Sequence, residues 1–205
     1  VQLSSHARPA EERLGELLFF TELMAPWNGT EGARSRFTCE TCHFEGYVDG
    51  RTHFTGRGEV FATTKPLVGL FGNRPHFTRA LDKTMTQMVF NEFKVANRKS
   101  GHDAWFELTE RDVPWLSQVE GLPETLDPVT LRRSLMSFLM AFNHRPNPST
   151  RGRGAFDDLE RRGADLFAAR CARCHAARRV ADDDRTTLPR GRWESEIFRG
   201  GAIVW

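Results

Sequence analysis

Apolar residues recur at three- to four-residue spacing in three stretches of this chain, the pattern of a helix with one buried face. Leu14, Leu17, Leu18 and Phe20 form the first stretch. Leu131, Leu135, Phe138, Leu139 and Phe142 form the second, and Leu159, Leu166 and Phe167 the third. The second is bounded most sharply. Asp127 is placed as an N-cap and Pro128 suits a first helical turn, so a helix is predicted over 127–143. Arg79 to Ala96 also has helical character. Residues 47–71 are punctuated by Gly50, Gly56, Gly58, Pro66 and Gly69 and are expected to be irregular. No alternation of apolar and polar residues runs beyond a few positions. The chain is therefore expected to be mostly α.

Two segments repeat. Gly15-Glu16-Leu17-Leu18-Phe19 and Gly163-Ala164-Asp165-Leu166-Phe167 carry glycine, leucine and phenylalanine at the same offsets. Glycine inside a helix costs about 1 kcal/mol relative to alanine, so its recurrence predicts a packing reason, the close approach of another helix. After Phe142, Pro146 and Pro148 open a stretch rich in Arg, Gly, Ser and Thr. The organisation predicted is a first domain over 11–145, a linker over 146–156 and a second domain over 157–205.

Each repeat precedes a cysteine motif. Cys39-Glu40-Thr41-Cys42-His43 and Cys171-Ala172-Arg173-Cys174-His175 are both C-x-x-C-H, and they use all four cysteines of the chain. This is the signature of c-type haem attachment, with two thioethers to the porphyrin and the adjacent histidine on the iron. A four-cysteine zinc site gives no reason for a histidine after each pair. A thioredoxin-like pair would sit beside a βαβ unit, which is not visible. A disulfide across C-x-x-C would close a short, strained loop. Two covalently bound c-type haems are therefore predicted, held by Cys39, Cys42 and His43 and by Cys171, Cys174 and His175.

Composition adds bounds. Among 205 residues, 39% are hydrophobic, and mean hydropathy is −0.51. No run approaches the roughly 18 apolar residues of a membrane helix, so the chain is expected not to be transmembrane. The arginines are interleaved with acids, which argues against a nucleic-acid partner. The formal charge of +2 falls near zero if each ferric haem adds about −1. Val1-Gln2-Leu3-Ser4-Ser5-His6 has neither a basic nor an apolar leader region and reads as a processed start. Haem attachment of this kind takes place outside the bacterial cytoplasmic membrane, so a periplasmic or exported location is expected.

The motifs in their order resemble the bacterial di-haem cytochrome c peroxidase family, which includes MauG. Residues 14–20 look like that family's opening helix. Cys42-His43 followed by Val48-Asp49-Gly50 is similar to its first haem segment. Thr63-Thr64-Lys65-Pro66-Leu67-Val68-Gly69-Leu70-Phe71 with Pro75-His76-Phe77 resembles the segment crossing beside that haem. Residues 131–142 and 162–167 look like the helix before the linker and the lead-in to the second haem. The resemblance spans roughly residues 11–178. It implies two cytochrome c-like haem domains in tandem, reduction of hydrogen peroxide at the first haem, and electrons relayed through the second. The donor it implies is a small redox protein, a cytochrome or cupredoxin; a MauG-like enzyme would instead oxidise a protein substrate.

Departures from the family qualify these expectations. Phe77-Thr78-Arg79-Ala80 stands where the family has a Trp-Asp-Gly-Arg-like run. Thr63 or Thr64 stands where an asparagine would bind calcium, which leaves calcium open. Only 30 residues follow His175, no methionine follows Met140, and the sole tyrosine is Tyr47. The second domain is thus expected to be truncated, with its pocket completed from earlier in the chain, by further sequence, by a partner chain or by a homodimer.

Residue types suggest the distal chemistry. By the resemblance, Glu92 is the acid–base group for peroxide. His53, then His76, are the first haem's distal ligand candidates, and His102 and His144 those of the second. Trp105 and Trp115 are candidates for an electron relay. Met85 and Met88 are read as core. Asn28-Gly29-Thr30 is a glycosylation sequon, irrelevant in a bacterial protein. The alternative to a peroxidase is a pure electron-transfer di-haem cytochrome with both irons fully ligated.

Overall fold

The computed structural model describes residues 8–28, 38–55, 59–70, 75–98, 100–142, 148–179, 187–198 and 203–204. The sequon beyond Asn28, Phe71, His144 and the start of the linker fall outside them. Five α-helices carry the described chain: α1 Ala10–Phe20, α2 Met85–Asn97, α3 Pro128–Ala141, α4 Asp158–Arg170 and α5 Arg190–Phe198. Strands are two or three residues long and pair only as antiparallel couples. These are β1 (Thr52–Phe54) with β2 (Phe61–Thr63), β3 (Leu108–Thr109) with β4 (Thr125–Leu126), and β5 (Arg178–Arg179) with β6 (Ile203–Val204). The protein is mostly α. No helix among the described residues is long and apolar enough to cross a membrane.

The chain divides into two compact units, Val1–Leu70 with Pro75–Asn143, and Phe71–Arg74 with His144–Trp205. In the first, α1 lies against α3. Gly15 is the point of closest approach, since a Cβ there would stand 1.9 Å from the Ser134 carbonyl oxygen and 2.6 Å from Phe138 Cβ. The helix contact expected of this glycine is present. Leu14, Leu18 and Phe19 are fully buried at the seam, where Phe19, Phe138 and Phe142 pack with centroids 5.4–6.3 Å apart. Each such side chain contributes about 1.5–3 kcal/mol of burial. The face is rotated from the one expected: Phe19 is the buried aromatic, and Phe20 is 44% exposed.

Helix α3 begins where its capping residues dictate. The Asp127 carboxylate accepts from the Val129 and Thr130 N–H groups, and Pro128 occupies the first turn. Leu131, Leu135, Phe138 and Leu139 are buried. Helix α2 starts later than its apolar pattern suggests, because Thr84 is its cap, accepting from the Gln87 N–H. Its far end is tied down by Asn97, whose Nδ2 donates to the Met24 and Phe93 carbonyls. Arg132 projects from α3 over the rings of Phe93 and Trp105, 4.3 Å from each centroid, and donates to the Ala104 and Pro128 carbonyls. Burial pulls its guanidinium down to about 10.

In the second unit α4 starts at a capping box, Asp157 with Glu160. Its apolar face is covered only at Phe167 among the described residues. Leu159 is 73% and Leu166 56% exposed, and a Cβ on Gly163 would meet nothing within 4 Å. The packing reason expected for this second glycine is absent there. Helix α5 supplies Trp193, 3% exposed, edge-on to Phe167 and donating Nε1–H to the Leu188 carbonyl.

Candidate functional site

Cys39–Thr41 forms a single 3₁₀ turn, and the His43 N–H donates to the Cys39 carbonyl. The following turn is possible because Gly46 has φ +80° and no side chain; a Cβ there would lie 1.7 Å from the Phe142 ring. The Gly46 carbonyl accepts from the Leu67 N–H, and the Phe142 carbonyl from that of Gly69. These bonds bring residues 61–70 alongside the motif.

The result is a largely apolar cavity in the first unit, with Cys39, Cys42 and His43 in its wall. Phe19 and Leu135 reach it from the α1–α3 seam, Met88 and Glu92 from α2, His53 from β1, and Thr63 to Lys65 from the end of β2. His76, 2% exposed, Phe77 and Thr78 complete it. Four candidates drawn from separate stretches of sequence, His43, His53, His76 and Glu92, therefore line one cavity. Thr63 and Thr64, weighed as a calcium position, are there also.

Both thiols sit in surroundings that disfavour a thiolate. Burial, with Glu92 second, raises Cys39 to about 12, and burial with Asp49 raises Cys42. A zinc ligand or nucleophile needs the opposite. A thioether sulfur carries no charge, and these walls suit it. Met24 Sδ lies 3.7 Å from Cys39 Sγ. His43 is kept neutral chiefly by burial, against the pull of the Lys65 and Tyr47 backbone, and its Nδ1 is buried without a hydrogen bond. Two uncharged thiols and a neutral imidazole on an apolar wall fit a covalently held haem.

His53 is not loose in this wall. Its Nε2 lies 2.6 Å from Asp49 Oδ2. Asp49 Oδ1 accepts in turn from the Arg51 N–H and the Thr64 hydroxyl, at 3.0 and 2.9 Å. The Arg51 amide, the His53 bond and the Thr64 hydroxyl hold the Asp49 carboxyl well below the usual carboxylate range. Cys42 Sγ, an Asp49 carboxylate oxygen and a His53 ring nitrogen lie within 4.8 Å of one another. His76 is anchored by paired backbone hydrogen bonds with Asp82, and the Asp82 carboxylate accepts from Asn91 Nδ2.

The backbone is strained on the same side. Phe77 has φ +70° and ψ 162°, a region that only glycine adopts freely, and Arg79 and Ala80 also have positive φ. Arg79 takes the left-handed conformation that glycine adopts most readily, at φ +63°.

The second motif has a different setting. Cys171, Cys174 and His175 follow α4 directly, and all three are exposed. The Cys171 carbonyl accepts from the Cys174 and His175 N–H groups. The Phe167 ring lies 6.5 Å from that of His175 and 6.0 Å from that of Trp193. Away from the first cavity, His102 is exposed and stacks on Trp27 at 4.2 Å; Trp105 is 49% and Trp115 39% exposed. Sequence reasoning missed Asp49 as a partner of His53, Met24 beside Cys39, and Trp193. The Val48-Asp49-Gly50 run was visible, but its contacts are tertiary.

No protein-family model, curated protein or solved structure matches the chain.

Proposed function

We propose that this protein is a c-type di-haem oxidoreductase of the cytochrome c peroxidase and MauG type. It reduces hydrogen peroxide at a first haem held by Cys39, Cys42 and His43, with electrons relayed through a second haem held by Cys171, Cys174 and His175. The observation that carries this reading is a single apolar cavity walled by both cysteines and the histidine of the first motif together with Glu92. A haem bound there supplies the redox chemistry of peroxide cleavage. Glu92 accepts a proton from bound peroxide and returns it to the departing oxygen as water, the acid–base work that heterolysis needs. Apolar neighbours such as Leu135, Leu139 and Val95 exclude water from that exchange. Electrons come from a small cytochrome or cupredoxin, or from side chains of a protein substrate. A periplasmic or exported location and the tandem domain plan belong to the same reading.

The test is a steady-state assay of the holoprotein with hydrogen peroxide and a reduced cytochrome. Turnover is expected, falling about 10²–10⁴-fold in Glu92→Gln, the usual contribution of a positioned acid–base group. No turnover, with both irons six-coordinate in every redox state, contradicts it. A second reading has its own support. His53 and His76 line the cavity with His43, so imidazole for a sixth ligand is at hand, as an electron-transfer cytochrome requires. That reading predicts no carbon monoxide binding after full reduction. Among the described residues the second motif and Leu159 and Leu166 of α4 are exposed, which favours a partner chain or second copy at that unit under either reading.

A further inference from the structure

His53 lines the cavity of the first motif, and imidazole is a strong iron ligand. A histidine free to turn there would close the position that peroxide needs. The structure holds it by one particular atom. Asp49 Oδ2 lies 2.6 Å from Nε2, and an ionised carboxylate only accepts, so Nε2 carries the proton and donates it. Nε2 is the unhindered ring nitrogen, flanked by C–H on both sides. Nδ1 adjoins the ring carbon that bears Cβ, so a flat macrocycle approaching Nδ1 meets the side chain's own methylene. Asp49 therefore occupies the one nitrogen best suited to bind haem iron.

The carboxylate cannot follow the ring inward. Its other oxygen is fixed by the Arg51 N–H at 3.0 Å and the Thr64 hydroxyl at 2.9 Å. Those two anchors face each other at one end of the β1–β2 pair, the Thr64 N–H donating to the Arg51 carbonyl, next to a register that sets Thr52 opposite Thr63 and His53 opposite Ala62. His53 is thus restrained through three elements at once: the turn after the first motif, β1 and the end of β2. Its charge-assisted hydrogen bond is of the stronger kind.

The geometry points to Asp49 as a positioning residue that holds His53 by Nε2 and so keeps the sixth position of the first haem open. This rests on the haem reading above and deepens it. Removing Asp49 frees Nε2 to bind iron, and the active site closes on its own histidine.

The experiment is electron paramagnetic resonance and electronic absorption of the ferric holoprotein in three forms: unaltered, Asp49→Ala, and Asp49→Ala with His53→Ala. The expected result is a high-spin first haem in the unaltered protein, conversion to low spin in D49A, and return to high spin in the double variant. A purely structural role for Asp49 would not be reversed by removing His53 as well. The rate of reaction with peroxide should fall at least about tenfold in D49A, as the competent fraction drops below about a tenth. Should D49A fail to fold, Asp49→Asn retains an oxygen for Arg51 and Thr64 and weakens the hold on His53. A mixed-spin spectrum, cleared by adding His53→Ala, is then expected. A D49A or D49N protein that stays wholly high-spin overturns the inference. So does an unaltered first haem that is low-spin and becomes high-spin in His53→Ala, since His53 is then the resident ligand. A protein without covalent haem at Cys39 and Cys42 shows no haem absorption from the first site in any form and fails the haem reading itself.

Discussion

The two C-x-x-C-H motifs share a sequence and a preceding helix but not a setting. Before the first, Gly15 meets the Ser134 carbonyl, and Leu18 and Phe19 are fully buried. Before the second, a Cβ on Gly163 would meet nothing within 4 Å among the described residues, and the equivalent Leu166 is 56% exposed. The first motif's cysteines and histidine stand in a cavity wall, whereas Cys171, Cys174 and His175 are exposed. A repeated segment thus does different work according to which face the second helix meets: α3 arrives on the Gly15 side of α1, whereas α5 meets α4 at Phe167. Glycine permits close approach but does not cause it; α3 does, by offering Ser134 and Phe138.

The largest effect expected of a single change is at the first motif. On the haem reading, His43→Ala, or Cys39→Ser with Cys42→Ser, should lower the intact mass by one haem while the other remains. The same changes at Cys171 and Cys174 should do the reverse. Loss of both haems from either set would break the comparison.

Next in size are core changes. Trp193→Ala empties a buried site beside Phe167 and should cost about 3–5 kcal/mol in the second unit's unfolding. Gly15→Ala forces a methyl into the Ser134 backbone and should cost about 1–3 kcal/mol or more. Gly163→Ala, made in open space on a helix, should instead stabilise by about 1 kcal/mol through helix propensity. Denaturant unfolding followed for each unit distinguishes them. Equal signs for the two glycines would contradict the contrast.

A smaller effect depends on pH. Hydrogen bonds lower the Asp49 carboxyl in the folded state, so its contribution is present above the unfolded carboxylate range near 4 and is lost as pH falls below it. The melting-temperature difference between the unaltered protein and Asp49→Asn should therefore be largest near neutrality and close below about pH 4. Glu160, lowered to about 2 by Arg153 and the Asp157 amide, should behave alike in the second unit through Glu160→Gln. A gap that widens with acid would contradict the assignment. Smallest is a difference in thiol chemistry: alkylation of the haem-free chain should label exposed Cys171 and Cys174 before Cys39.

Much of the scaffold was legible in the chain because it is local. Asp127 and Pro128 announce the start of α3, and the leucine and phenylalanine spacing names its buried face. Gly15 announced a helix crossing, though not its partner. The candidates His43, His53, His76 and Glu92 were readable as residue types, and the structure brings them to one cavity. What stayed hidden are side-chain bonds that no periodic pattern encodes. The Asp49–His53 bond joins residues four apart in an irregular turn, and Thr64 reaches Asp49 only because β2 returns beside β1. Phe20 satisfied the helical period yet stays 44% exposed, meeting Phe138 edge-on from the rim of the seam where Phe19 is fully buried. Helix α5 has too few apolar residues to stand out; Trp193 is its buried residue, with Phe198 against Phe156 and Arg190 paired with Asp165.

Most direct for the central claim is the intact mass of the chain matured in a host that attaches c-type haem, with peptide mapping of both motifs. Two haems are predicted, one on the peptide containing Cys39 and Cys42 and one on that containing Cys171 and Cys174. An unmodified mass, with all four thiols free or bound to a removable metal ion, would contradict the account.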